Sequence, residues 1–580
     1  MAHGSFLLPL LVALAPDPPP IVIVDRDNIE ITSSCRLNVT ASPIIDADGN
    51  GVVHIKGDRI RVTFEGEPLR GAQPGQEPDS FTGTGVTISG RQLTVSGARI
   101  SGYKTAIHAR RANHMVIEDC DVSDNFRQRL GSTPWQEDPA DWLKPHENDE
   151  NQWLHKYGAG VYLELCSKAT VRRVRARETQ NGIVLDQSDN SRIYDNDCSF
   201  GSGWGIALWR AKGNVISRNA CDFRVRGYSH GVYNRGQDSA GILLFEQSRE
   251  NLITQNSATH CGDGLFGFAG REALGQTEEP FVEDWYFRRG CNNNVIAGND
   301  FSWAAAHGAE ITFSFDNQII RNRFVGNAIC GFWGGYSQRT TIAGNHFESN
   351  GDMPYGKERG GINIEHGHTN QFQQNTFLKN ACGIHLWWDR DEPIMALRWA
   401  NANSTASEGN TILNNTFEGD TIAIELQQVG LTTMISNEMI DVGVEVEADE
   451  VSLASLKRFK DMDLGTMPFD LPDAPGETTP VGARDGLDGR EHIVMTLWGP
   501  YDGIKPLLHL VAREPDRHVY ELLGPDPLEN ARLRTDHQID LLREGSRIVL
   551  TTRKTGSIAD YELTVTAGDA TIARTETFGP

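Results

Sequence analysis

After residue 20, this 580-residue chain holds no run apolar enough to cross a bilayer, which takes about 20 apolar residues in a row. Positive charge is scarce: 54 Lys and Arg face 78 Asp and Glu, for a formal net charge of -24. That balance argues against nucleic acid and anionic membrane surfaces as partners, and against a polyanionic ligand except at a local basic patch or with a bridging cation. Nine cysteines are present, an odd number with no Cys-x-x-Cys pair. No long segment has helical periodicity, and the Leu-x-x-Leu-x-Leu spacing of a leucine-rich horseshoe is absent.

What is present is repetition. Asn214-Val-Ile-Ser-Arg-Asn219, Asn251-Leu-Ile-Thr-Gln-Asn256, Asn294-Val-Ile-Ala-Gly-Asn299 and Asn317-Gln-Ile-Ile-Arg-Asn322 are one unit returning. In phase with it runs a glycine followed by alternating apolar residues, as in Gly182-Ile-Val-Leu, Gly205-Ile-Ala-Leu, Gly361-Ile-Asn-Ile and Gly383-Ile-His-Leu. Neighbouring glycines lie 22, 23, 36, 23, 44, 23, 30 and 22 residues apart, a basic coil of 22 to 23 with insertions. A fixed period of that length means a solenoid, and short period-two strands broken by Gly and Asn make it a parallel β-helix. Asn196, Asn219, Asn256, Asn299, Asn322, Asn345, Asn375, Asn415 and Asn437 are expected at the bends, tolerating left-handed backbone and bonding to the same residue of the next coil. Cys198 and Cys221 follow ladder asparagines by two residues, so they should stack in successive coils as small buried side chains.

The organisation expected is a signal peptide and proline-rich spacer over 1–20, from the apolar run Phe6 to Ala15. Residues 21–102 open or cap the solenoid, 103–450 form the β-helix, 451–487 a linker rich in Asp, Pro and Gly, and 488–580 a small β domain. The fold class is thus all-β, a parallel β-helix with a C-terminal β-sandwich-like domain.

The Asn/Gly pattern over about residues 100 to 446 resembles right-handed parallel β-helix proteins of the pectate-lyase-like superfamily, including carbohydrate-binding and sugar-hydrolase repeats and NosD-type periplasmic proteins. The resemblance implies the fold and action on a polysaccharide, and the apolar run at the amino terminus implies a secreted or periplasmic location. It transfers no catalytic residue. The Asp-Asp and Gly-His-Gly motifs of polygalacturonases are missing, with only a partial echo in Glu365-His-Gly-His368, and so is the pectate-lyase arginine signature.

Site residues therefore come from alternation. Insertions fall before the marker strand (about 125–157, 224–239, 350–359) and after it (269–290, 389–408), so they should wall a groove whose floor is that strand's outer face. With the residue after each glycine inward, one outward column reads Glu310, Trp333, Asn363, His385, Glu425 and a second Thr312, Gly335, Glu365, Trp387, Gln427. Acids, amides, a histidine and tryptophans on one face point to a sugar site. Glu310 and Glu365 are expected as the acid pair, roughly 12 Å apart along the backbone. His385, Asp389 and Glu425 are further catalytic candidates. Trp333, Asn363, Trp387, Trp388 and Gln427, with Arg271 and Trp285 from an insertion, are expected to bind substrate. His366 and His368 lack a convincing third ligand, so no metal and no cofactor is expected. Asp46-Ala-Asp48-Gly-Asn50-Gly51 begins like a calcium loop but carries Gly57 at position twelve and reads as a polar turn. Glycoside hydrolysis is the expected chemistry. The alternatives are β-elimination on a uronate, which would need calcium or an arginine to neutralise the carboxylate, and glycan binding without catalysis.

Overall fold

The computed structural model describes every residue except 1–17, 134, 228–235, 279–280, 461, 463–464, 466–467, 554–557 and 580. The expected signal segment and the middle of the 224–239 insertion lie outside the described residues. Among those described, no helix is long and apolar enough to cross a membrane.

The chain forms a right-handed parallel β-helix. One sheet of sixteen strands runs from Ile21–Val24 to Leu456–Phe459, and a second of fifteen runs from Ile29–Ile31 to Val444–Ala448. Strands pair in parallel, coil to coil. A third sheet of five short strands, Arg323–Val325 to Glu438–Ile440, forms only in the later coils. In earlier coils that side is held by single bridges such as Asp197 to Ala220 and Ser257 to Asp300. Residues 21–102, expected as an opening or cap, are themselves the first coils, and the last rung ends at Phe459 rather than near 450.

Alternating apolar residues from the sheets fill one continuous core down the axis, among them Ile206, Ile242, Leu265, Ala309, Phe332 and Ile362. The third side contributes a file of rings: Phe324, Phe347, Phe377 and Phe417 stack with centroids 4.7, 5.0 and 4.6 Å apart, close to the spacing between strands. All nine cysteines are free and buried, Cys198 and Cys221 included.

The asparagine ladder runs unbroken from Asn196 to Asn437. Asn299 shows its logic: its Oδ1 accepts from the Asn256 backbone N–H (2.9 Å) and Nδ2 (3.0 Å), and its own Nδ2 donates to Ile253 O (3.0 Å) and Asn322 Oδ1 (3.0 Å). Two shorter ladders accompany it, Asn214–Asn251–Asn294–Asn317 and Asn327–Asn350–Asn380–Asp420. One expectation is corrected. The left-handed residue at each bend is the one before the asparagine, such as Arg218 (φ 53°), Gln255 (φ 56°) and Arg321 (φ 53°). The amide is thereby aimed along the stack.

A second compact unit, 501–580, packs a four-stranded and a three-stranded antiparallel sheet around one core that includes Leu508, Tyr520, Leu550, Leu563 and Phe578. It is the expected sandwich, but it begins at 501 rather than 488. Much of the expected linker is bonded to the β-helix: Asp195 accepts from the Glu477 and Thr478 backbone and Arg484 pairs with Asp222, and just beyond it Arg490 pairs with Asp352. Its Asp, Pro and Gly content reflects a chain that follows a surface without regular structure.

Asn299→Ala removes the acceptor of two buried donors on Asn256, at about 1–3 kcal/mol for each orphaned group. Asn437→Ala, at the half-buried end of the ladder, should cost less in the same urea titration. Equal losses at the two positions would deny the ladder its cumulative role.

Candidate active site

Both outward columns form as the alternation requires. Glu310 pairs with Trp333, Trp333 with Asn363, Asn363 with His385 and His385 with Glu425. Glu365, Trp387 and Gln427 are likewise in register, and Gly335 accepts from the Phe313 N–H beside Thr312. The inward neighbours Ala309, Ile311, Ile362, Ile384 and Ile424 lie in the core.

The open groove is corrected. The 350–359 insertion crosses the face as a strap instead of standing beside it as a wall. Lys357 O accepts from Asn363 Nδ2 (2.9 Å), and Lys357 Nζ lies 4.6 Å over the Trp387 ring and 3.3 Å from Asp389. Glu358 lies 3.8 Å from His307 Nε2, and Arg359 is bonded to Glu425. Asn363 and His385 are therefore fully buried, and Trp387, expected to offer its face to a sugar, is covered by a lysine.

Under the strap the residues hold one another. The Trp387 indole donates to Asn363 Oδ1 (2.9 Å), which leaves the amide nitrogen to donate to His385 Nδ1 (2.9 Å). His385 Nδ1 also lies 3.0 Å from Lys357 O, and Nε2 faces Glu425 at 3.8 Å. Burial drives the His385 pKa down to about 4 against the pull of Glu425. Burial also opposes ionisation of Glu425, but Arg359, His385 and Gln427 outweigh it and hold the carboxyl below its ordinary value. A neutral imidazole and a guanidinium-bound carboxylate fasten the strap. Beside it Glu425 and Gln427 reach a 610 Å³ cavity with Trp388 and Asp389.

Glu365 belongs to a second group. Burial first, then the carboxylates of Glu358, Asp389 and Asp391, raise its pKa to about 8. The Tyr336 hydroxyl is 3.5 Å from Glu365 and 3.0 Å from Asp391, and His366 Nε2 is 3.1 Å from Asp389. Donor atoms of Glu365, His366 and Asp389 lie within 4.8 Å of one another, an oxygen and nitrogen set of a kind that divalent metals accept. His368 points away to Thr369 and Asn403 O. In the calcium-like segment Asp46 accepts the N–H groups of Gly49, Gly51 and Thr84, and donor atoms of Asp27, Asp46 and Asp48 lie within 4.8 Å of one another.

Glu310 belongs to a third group, with two residues that alternation missed. Donor atoms of Asp263, His307 and Glu310 lie within 4.8 Å of one another. They line a 240 Å³ cavity with aromatic walls: Trp142, His146, Phe266, Phe268, Phe313 and Trp333. Trp333 stacks on His307 (5.4 Å, 21°), and Asp263 accepts the His307 backbone N–H (3.0 Å). Burial lowers the His146 pKa to about 4, assisted by nearby Arg271. Asp263 and His307 each precede a marker glycine, where strict alternation would turn them inward. The glycines break that parity: a Cβ on Gly264 would meet Phe301 at 2.9 Å, and one on Gly308 would meet Phe324 at 2.7 Å, both core rings. Glycine and the next residue both face the core, so the residue before glycine faces out. The usable signal was the column one place ahead of the glycines.

Glu310 and Glu365 thus stand two coils apart in separate groups. Of the insertion residues, Trp285 is packed by its own loop, stacked on Phe281 (3.9 Å) and under Arg289 (4.7 Å). Arg271 opens a one-turn helix, Arg271–Leu274, and its N–H bonds Glu246.

Two family models match the middle coils: one described as "Right handed beta helix region" over residues 286–397, the other as "Periplasmic copper-binding protein (NosD)" over 146–301. No curated protein matches the sequence. Among solved structures, the chain is similar to the mannuronan C-5 epimerase AlgE4 A-module of Azotobacter vinelandii (15% identity, 70% of this chain and 89% of that one, TM-score 0.33). It is similar also to the DFA-IIIase of Arthrobacter chlorophenolicus A6 in complex with GF2 (11%, 62% and 83%, 0.35) and to the periplasmic alginate epimerase AlgG (11%, 74% and 77%, 0.30).

Because Glu365 titrates higher folded than unfolded, the native state keeps a proton that the unfolded chain has already lost between about pH 4 and 8, and stability falls as pH rises through that window. Glu365→Gln should therefore raise Tm at pH 8 and change it little at pH 4. An equal change at both pH values would remove the electrostatic account.

Proposed function

We propose that this protein is an exported carbohydrate-active enzyme that hydrolyses glycosidic bonds in the cavity holding Asp263, His307 and Glu310. The observation that carries the reading is a pair of carboxylates and an imidazole with donor atoms within 4.8 Å, enclosed by aromatic rings on the outer face of the helix. Rings stack on sugar faces, and paired acids do the proton and nucleophile work. The apolar run near the amino terminus supports export.

Carboxyl groups about 5–5.5 Å apart serve retaining glycosidases, whereas inverting enzymes leave room for water at about 6.5–9.5 Å. The close pair therefore favours double displacement over the inverting geometry expected of Glu310 with Glu365. Asp263, which accepts the His307 N–H, attacks the anomeric carbon. Glu310 protonates the departing glycosidic oxygen and then takes a proton from the water that frees the sugar. His307, clamped on Trp333, orients the pair. At 240 Å³ the cavity is below the roughly 300–1,000 Å³ of most ligand clefts and suits a single ring.

Asp263→Asn and Glu310→Gln should each lower turnover by at least about a hundredfold with binding retained, while Glu365→Gln stays within a few-fold of the native protein. Loss in Glu365→Gln with normal turnover in Asp263→Asn would return the acid pair to Glu310 and Glu365 and an inverting outcome. The products separate the chemistries: new reducing ends mean hydrolysis, ultraviolet absorbance of an unsaturated uronate means elimination, and retention without cleavage means binding alone.

A further inference from the structure

A 430 Å³ cleft lies in the middle of the same sheet, at the carboxyl end of the strand Ala240–Phe245, where it runs into its bend. Its lining includes Arg210, Lys212, Arg249 and Arg289, a local concentration of cations in a chain of net charge -24. At its base is Glu246, 2% exposed. One carboxylate oxygen of Glu246 accepts the Arg271 N–H (2.9 Å), and the other has no hydrogen bond among the described residues, with Arg210 at 3.8 Å. Among the described residues Arg210 Nε is also buried without a hydrogen bond, although its Nη2 pairs with Asp149 at 2.7 Å. Asp189 and Glu272 line the cleft too, but Asp189 accepts the Lys212 backbone N–H and Glu272 accepts from Gln247.

The pocket is shaped around that acid. A Cβ on Gly270 (φ 103°) would fall 2.3 Å from the unbonded Glu246 oxygen, so only glycine leaves the carboxylate its place. A buried oxygen lacking a donor is expensive. A ligand hydroxyl would satisfy it, and an anionic group beside that hydroxyl would face the cations. A neutral sugar would leave the cations unanswered. By register, Phe245 pairs with Phe268 and Phe268 with Thr312. Glu246 is therefore two coils and three residues from Glu310, roughly 14 Å. Arg271 bonds Glu246 and, after burial, is the next cause of the lowered pKa of His146 in the Glu310 cavity.

We infer that this cleft is a second glycan subsite, built for a sugar residue that carries a negative group beside a free hydroxyl, with Lys212, Arg249 and Arg210 facing the charge and Glu246 accepting the hydroxyl. As a subsite of the cleaved chain it rests on the function proposed above; as a binding site it does not. Burial, the main cause, raises the Glu246 pKa to about 7, which limits its repulsion of an anion near neutral pH.

Calorimetric titration of the full chain with a carboxylated, a sulfated and a neutral oligosaccharide of equal length tests the inference without requiring turnover. At least one charged oligosaccharide should bind about tenfold or more tightly than the neutral one, and which of them does so identifies the anionic group. The double variant Lys212→Ala/Arg249→Ala should erase that preference. The exposed pair Lys56→Ala/Arg59→Ala, in the first coils, should leave it intact. Equal affinity for all three ligands, or equal loss in both double variants, would overturn the site. A protein that binds charged glycan selectively and cleaves nothing would keep this subsite and lose the proposed hydrolysis. One that cleaves glycans with no charge preference would do the reverse.

Discussion

Residue-for-residue stacking of coils is the constraint on which the rest depends. A parallel strand must find the same position one turn later, and a slip of one residue would exchange core and surface on the whole sheet. The amides prevent that slip. Each ladder asparagine completes its hydrogen bonds only when the next asparagine lies directly above it, as Asn256, Asn299 and Asn322 do. The left-handed residue before each one sets the aim, and the phenylalanine file on the third side repeats the same register in apolar form.

Fixed register makes the outer face a grid on which chemistry can be written one coil at a time. The grid carries three titrating groups with different fates. Glu425, bound by Arg359, is a charged fastener, and His385 beside it is a neutral one. Glu365, crowded by other carboxylates, holds its proton past neutrality. Asp263 and Glu310 face an aromatic cavity. What separates these fates is the 350–359 strap, whose Lys357, Glu358 and Arg359 each reach a different acid or histidine of the face. The strap also divides the face into chambers, one around Glu310 and one beside Glu425.

In functional terms, the protein offers ring-sized space with paired carboxylates, and farther along the sheet a basic cleft with a buried acid. Under the function proposed above, the cavity would hold the residue whose bond is cleaved and the cleft would recognise another by its charge. The strong negative charge of the whole chain does not forbid this. Fields at a few ångströms are set by the nearest groups, and beyond about 8–10 Å salt screens the remainder.

The sequence by itself determined the coil, its period, the asparagine ladder, both outward columns and the terminal sandwich, because each rests on local repetition: one residue type at one spacing, with period two between bends. It located Glu310, Trp333 and Glu365 on the outer face for the same reason. Only the tertiary structure decided which of them meet. Asp263 and His307 escaped because the marker glycine lets two successive residues face the core, a parity shift visible only once Phe301 and Phe324 are seen against those glycines. The insertion at 350–359 was legible as extra chain, but that it lies across the face rather than beside it depends on partners such as Glu425 and Asp389, 66 and 32 residues away from the strap residues they hold. Repeats report themselves in one dimension, whereas the pairing of side chains from distant loops is fixed by packing and by the burial of charge, which no local pattern records.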